Sequence, residues 1–145
     1  ADDDYKVQYK LNAGSWTDVT DASSVVRATL TGDFVNGADV TEYIGGVGTY
    51  ITDNNAALES TGALTLAAAL AANSSFEGHL NFQIRSGDVV NGDTIQLRVI
   101  YGTGSALEAY TDTPTITVNE ASAYTDCPFI QSFVPYQDRV EVVGY

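Results

Sequence analysis

Apolar and polar residues alternate one for one along much of this chain. Tyr5, Val7, Tyr9 and Leu11 interleave with Lys6, Gln8 and Lys10. Phe76, Gly78, Leu80, Phe82 and Ile84 interleave with Glu77, His79, Asn81, Gln83 and Arg85. Ile95, Leu97, Val99 and Tyr101 share one phase, with Gln96, Arg98 and Ile100 in the other. Successive side chains of a strand point to opposite faces, so this rhythm makes strands with one dry and one wet side. A strand that is dry on one side must pair along its edges and be covered on that face. A single hairpin meets neither need, whereas two facing sheets meet both.

The punctuation fits strands. Asn12-Ala13-Gly14-Ser15 is a turn in which Gly14 is expected to take the positive φ, and Trp16 and Val19 begin a return strand. Residues 5–19 are therefore predicted to form a hairpin. Further extended pieces are expected at 24–30, with Val25, Val26 and Leu30 apolar, and at 49–52. Asn36-Gly37 and Asn91-Gly92-Asp93 mark turns, as does Gly102-Thr103-Gly104-Ser105. Residues 63–66 are read as a strand, with a helical turn over 67–72 as the competing reading of the alanine run. Residues 107–110 run back from the last turn, and Pro114, Ile116 and Val118 alternate in a closing strand. The fold expected for residues 1–118 is all-β, a two-sheet antiparallel β-sandwich.

Residues 119–145 form a C-terminal extension of different character. After a small, polar stretch at 119–125 come Phe129, Ile130, Phe133, Val134, Tyr136, Val140, Val142 and Tyr145. A disordered tail is poor in such residues. These eight are expected to make a partner interface, with the segment either adding a strand to its own sandwich or docking on another subunit as a strand or arm.

Charge removes several functions. In 145 residues, 6 Lys+Arg stand against 19 Asp+Glu, a net charge of −13. Phosphate backbones and anionic head groups are bound through cations, so neither nucleic acid nor a membrane surface is an expected partner. No apolar run approaches the ~20 residues of a membrane-spanning helix. Cys127 is the only cysteine, which excludes an intrachain disulfide and a thiolate zinc cluster.

No constellation for catalysis stands out, so no enzyme activity, no cofactor and no metal is expected. His79, the only histidine, falls on the wet side of its strand without a nucleophile in a recognisable setting. Nineteen acids guarantee chance carboxylate pairs, so their abundance does not point to glycoside hydrolysis. Asp2-Asp3-Asp4, Asp53-Asn54-Asn55 and Asp88 with Asn91 and Asp93 offer oxygen ligands, yet none has the spacing of a calcium loop. Gly45-Gly46-Val47-Gly48 and Gly102-Thr103-Gly104 lack the strand-to-helix setting of a phosphate cradle and are read as turns. Trp16 beside Tyr9 offers a platform for a sugar ring or, more simply, an aromatic packed across its hairpin.

Residues 5–17 (Tyr5-Lys6-Val7-Gln8-Tyr9-Lys10-Leu11-Asn12-Ala13-Gly14-Ser15-Trp16-Thr17) resemble the opening of many immunoglobulin-like modules. Leu80-Asn81-Phe82-Gln83-Ile84-Arg85, residues 88–99 and residues 110–118 are similar to the later strands of such modules. They occur on bacteriophage virions and in repetitive bacterial surface proteins. The resemblance departs from antibody domains, since paired cysteines are absent and Trp16 comes before the position of a core tryptophan. It implies a structural protein on a virion surface, a capsid decoration protein assembling as a homo-oligomer with capsid subunits. An extracellular filament, pilus or adhesion subunit, self-associating through its C-terminal segment, is the alternative expectation. A carbohydrate-binding module using Trp16 is a third.

Overall fold

The computed structural model describes residues 4–66, 70–107 and 113–119, with the backbone of two strands at Ile130–Tyr136 and Arg139–Gly144. Regular structure among the described residues is all β apart from one 3-10 turn at Ser86–Asp88. Two long strands, β1 (Asp4–Leu11) and β10 (Thr94–Tyr101), pair antiparallel from Tyr5 opposite Tyr101 to Leu11 opposite Ile95. The alternation in the sequence sets their faces. Tyr5, Val7, Tyr9 and Leu11 lie across from Tyr101, Val99, Leu97 and Ile95 on the inward side. Lys6, Gln8, Lys10, Gln96 and Arg98 take the other side.

Three short strands complete this sheet. β2 (Thr17–Asp18) and β6 (Ala63–Thr65) share the free edge of β1 end to end, β2 against Gln8 and Tyr9, β6 against residues 4–6. β11 (Thr115–Thr117) pairs with residues 94–96 of β10. Between β2 and β6 the Val7 amide donates to the Gly62 carbonyl at 2.7 Å, and the Gly62 amide donates to the Val19 carbonyl at 3.1 Å. Glycine is required at that junction, because a Cβ at Gly62 would lie 2.6 Å from the Val19 carbonyl oxygen.

The other strands form three two-stranded pieces: β3 (Val26–Ala28) with β9 (Phe82–Ile84), β4 (Thr49–Tyr50) with β7 (Ser74–Ser75), and β5 (Ala57–Leu58) with β8 (His79–Leu80). Val25, Val26 and Ala28 pack with Tyr9, Val19, Val89 and Ile95 into the main core, against which Leu80 and Ile84 lean. Val40, Ala56 and Ala57 make a smaller core with Phe34, Leu64 and Phe76. The sheets do not close into a barrel.

Several expectations hold, notably the 5–19 hairpin and a strand at 63–66; of the competing turn, residues 67–69 lie outside the described residues. Others are corrected. The positive φ of the first turn belongs to Asn12, at 51°, not to Gly14; Asn is among the non-glycine residues that enter that region most readily, and here its side-chain Nδ2 also donates to Asp93 across the sheet end at 2.8 Å. Pairing is not antiparallel throughout, since β4 with β7 and β5 with β8 run parallel. Residues 76–85 are not one alternating strand. The segment changes partner at Asn81, whose side chain turns to the buried carboxylate of Glu59 at 3.1 Å, and Phe82 is left exposed. The third extended piece shrinks to three residues, with Leu30 exposed.

The C-terminal extension contains β12 (Ile130–Tyr136) and β13 (Arg139–Gly144), which pair with each other and with no other described strand.

Asn54 shows how a loop is held where no strand runs. It is fully buried, and its Oδ1 accepts from the amides of Val40 at 2.9 Å and Ala56 at 3.1 Å. Its Nδ2 donates to the carbonyls of Val40 and Ile51, both at 2.8 Å. Asn54 is thus a structural plug between the segments at 40, 51 and 56. Removing one partner strands several buried polar groups, each costing about 1–3 kcal/mol. Asn54→Ala is expected to lower unfolding free energy by about 2–4 kcal/mol in urea titration; a change under about 0.5 kcal/mol, the scale of an ordinary surface substitution, would show the plug to be dispensable.

Candidate functional site

The loop at residues 41–48 carries the three most exposed large hydrophobic residues among those described: Val47 at 92%, Tyr43 at 88% and Ile44 at 84%. Scattered surface apolar residues are ordinary, but three within five positions make a patch. The loop is held in shape by a carboxylate. Glu77 Oε2 accepts from the Tyr43 amide at 2.9 Å, and Oε1 from Ile44 at 2.7 Å and Gly45 at 3.2 Å. Glu42 accepts from Gly46 at 3.0 Å, across the tip.

Glycine brings the loop's far end against β7. At Gly48, φ is +102° and a Cβ would overlap the Asn73 carbonyl, which accepts the Thr49 amide at 2.8 Å. The backbone is therefore fixed from two sides while the apolar side chains stand in water. Burial of each is worth about 1.5–3 kcal/mol, so a partner that covers the tip gains several without ordering a floppy loop.

A second feature lies inside. Between the inward face of β1 and β10 and the short strands there is a cavity of about 220 Å³, lined mainly by Tyr5, Leu58, Leu64, Phe76, Leu80 and Val99. Its walls draw on both cores, with Val7 and Leu80 from the main one and Leu64 and Phe76 from the smaller. Val99, opposite Val7 in the register, also lines it and is 39% exposed.

The outward face of the sheet concentrates positive charge. Lys6, Lys10 and Arg98 are three of the chain's six Lys and Arg residues. Arg98 donates to Gln8 Oε1 through Nε at 3.0 Å and Nη2 at 2.7 Å, and Gln8 donates to Asp18 at 2.6 Å. Lys6 pairs with Asp18 at 2.8 Å, and those bonds hold the Asp18 carboxyl below its ordinary value. The Trp16 ring takes Arg98 at 4.2 Å and Lys10 at 4.9 Å from its centroid. The predicted packing of Trp16 onto its hairpin is thus a cation-π contact, and a sugar would have to displace those cations.

The residues expected at a partner interface divide. Ile130, Phe133, Val134 and Tyr136 lie in β12, and Val140 and Val142 in β13, where the register sets Phe133 opposite Val142. Phe129 and Tyr145 lie outside the described residues, as does Cys127. His79 is exposed, its ring centroid 6.4 Å from that of Phe34. Asp88 faces Arg85 at 3.7 Å, and Asp93 accepts from the Val90 amide and from Asn12, the work of a turn. No group of three His, Cys, Asp or Glu among the described residues is placed to hold a metal ion. The exposed loop was missed because its glycines mark a turn; the signal was Tyr43, Ile44 and Val47 among them, where turn chemistry favours polar residues.

No family model, curated protein or solved structure matches this chain.

Burial acts to raise the Glu77 pKa, but the amides of Tyr43, Ile44 and Gly45 outweigh it and hold the carboxyl below the ordinary 4.5. A lowered folded value stabilises the ionised, pinned loop above pH 4.5 and loses that stabilisation as pH falls through the lowered value. The protection of these three amides against hydrogen exchange, relative to their intrinsic rates, is expected to fall selectively across that acid range. At neutral pH, Glu77→Ala is expected to speed it roughly tenfold or more; unchanged exchange would show that the loop is held by other means.

Proposed function

We propose that this chain is a non-enzymatic structural protein that assembles on a large particle, with a phage capsid decoration protein of immunoglobulin-like type as the specific reading. The exposed, carboxylate-pinned tip of Tyr43, Ile44 and Val47 carries the proposal. Such a tip is a preorganised contact for a protein surface, since apolar side chains on a fixed backbone bind without a large ordering cost. The apolar C-terminal hairpin supports the same reading as a second grip, with Phe129, Ile130, Phe133, Val134, Tyr136, Val140, Val142 and Tyr145 as its contact residues. A net charge of −13 keeps free copies apart in solution and is repelled by nucleic acid. The place of work is then a virion surface, with capsid subunits and further copies as partners.

A filament or adhesion subunit is the second reading. It is favoured by one observation, the presence on a single chain of an exposed apolar loop and an apolar cavity.

Density-gradient sedimentation of the chain expressed from its native genome tests the particle role. Material in the particle fraction is expected, and Ile44→Asp with Val47→Asp is expected to shift it to the free fraction without unfolding it. Deletion of residues 119–145 is likewise expected to leave a folded domain that no longer joins the particle. A wild-type chain found wholly free would overturn the reading.

A further inference from the structure

We infer that the outward face of β1 and β10 is a docking site for an extended acidic segment of a protein partner, Arg98 and Lys10 each taking one carboxylate. The site is built from strands other than those that hold the 43–47 tip, and its test does not depend on the particle reading. Three of the chain's six cations stand on this one face, in a molecule with 19 acids. Carboxylates are plentiful, yet among the described residues only Lys6 of the three is paired with one, Asp18. Arg98 and Lys10 have neutral neighbours instead. Gln8 Oε1 takes two of the five guanidinium N–H groups. The Trp16 centroid lies 4.2 Å from Arg98 and 4.9 Å from Lys10.

A neutral cradle of this sort fixes a cation without discharging it. Gln8 is itself held by Asp18, which Lys6 anchors, so the guanidinium is oriented before any partner arrives. A charged group fixed in advance binds without the cost of ordering a long side chain. The remaining N–H groups of Arg98 suit a carboxylate, which the planar fork can meet with two parallel bonds. Spacing selects the form of the partner. Gln8 stands opposite Arg98 and Lys10 opposite Gln96, so Lys10 and Arg98 are diagonal neighbours on one face, about 7–8 Å apart. Residues two apart on an extended segment are about 6.6–6.8 Å apart and point the same way. Two acids at alternate positions therefore meet both cations at once. Net charge selects against long polyanions. At −13 the molecule repels a nucleic acid along its length, whereas a short segment sees chiefly the cations before it, because salt limits the reach of other charges to about 8 Å.

Trp16 is the chain's only tryptophan, so its emission reports on this face alone. Titration of the full chain with the capped peptide Glu-Thr-Glu-Thr-Glu is expected to change that emission saturably, and Gln-Thr-Gln-Thr-Gln is expected to leave it unchanged. Lys10→Gln with Arg98→Gln is expected to weaken binding of the acidic peptide roughly tenfold or more. Calorimetry reads this variant, because loss of the cations alters the ring's own emission. If the double variant fails to fold, Lys10→Gln alone decides by the same measure, since it breaks no side-chain hydrogen bond among the described residues. A wild type that does not saturate with the acidic peptide, or that answers the glutamine peptide equally, overturns the site. Preference for a thymidine oligonucleotide or inorganic phosphate overturns it too, as does undiminished binding by the variant.

Discussion

The ladder between β1 and β10 is the constraint to which the rest of the molecule answers. Both strands are long, and each leaves a second edge for shorter strands, β2 and β6 on β1 and β11 on β10. Its inward face supplies Tyr9 and Ile95 to the main core and Tyr5 to the wall of the cavity. Its outward face holds the Arg98, Gln8, Asp18 and Lys6 network, tying residues some 90 positions apart. The short strands are too small to stand alone, and two-stranded pieces are marginal without a covered face. They gain stability by packing onto this one.

An excess of acid is usually a problem for a compact chain, yet here it closes loops. With few cations to meet, the carboxylates turn to backbone amides. Glu59, almost wholly buried, gathers the amides of Thr31 and Asp33 with the side chains of Thr31 and Asn81 around a single oxygen. Desolvation there pushes its pKa up, and these donors bring it below the ordinary value. Asp39 takes the amides of Asn54 and Asn55, and Asp93 spans the 90–93 turn and reaches Asn12. Charge-assisted bonds of this kind are about twice as strong as neutral ones. Long loops can thus be ordered without helices and with few ion pairs.

Much of the scaffold was legible because period-two alternation is a local property. The strands at 5–11 and 95–101 follow from it directly, as does the first hairpin from its turn residues. What alternation does not encode is partnership. That β1 pairs with β10 is decided by which dry faces can cover each other after the chain folds back, a contact across ninety residues. Residues 76–85 kept the right rhythm and still broke into pieces, because Asn81 serves Glu59 instead of water. Asn54 and Glu59 were unreadable as core for the same reason: polar residues enter an interior only when a set of donors or acceptors is assembled there from distant segments. At the surface, the glycines of residues 45–48 were seen, but their use, to press a loop against β7 and lift its apolar side chains outward, depends on Glu77 thirty-odd residues later.

The position of β1 at the centre of its sheet has a consequence for biosynthesis. β1 needs partners on both edges, and its main partner, β10, is made some 90 residues after it. At 5–20 residues per second, roughly 5–20 s of translation separate the two. Throughout that interval the edge of β1 that β10 will cover, in a strand of alternating Tyr, Val and Leu, is without its partner. Its lysines at positions 6 and 10, in an otherwise acidic chain, then act as gatekeepers that discourage pairing with a neighbouring nascent chain.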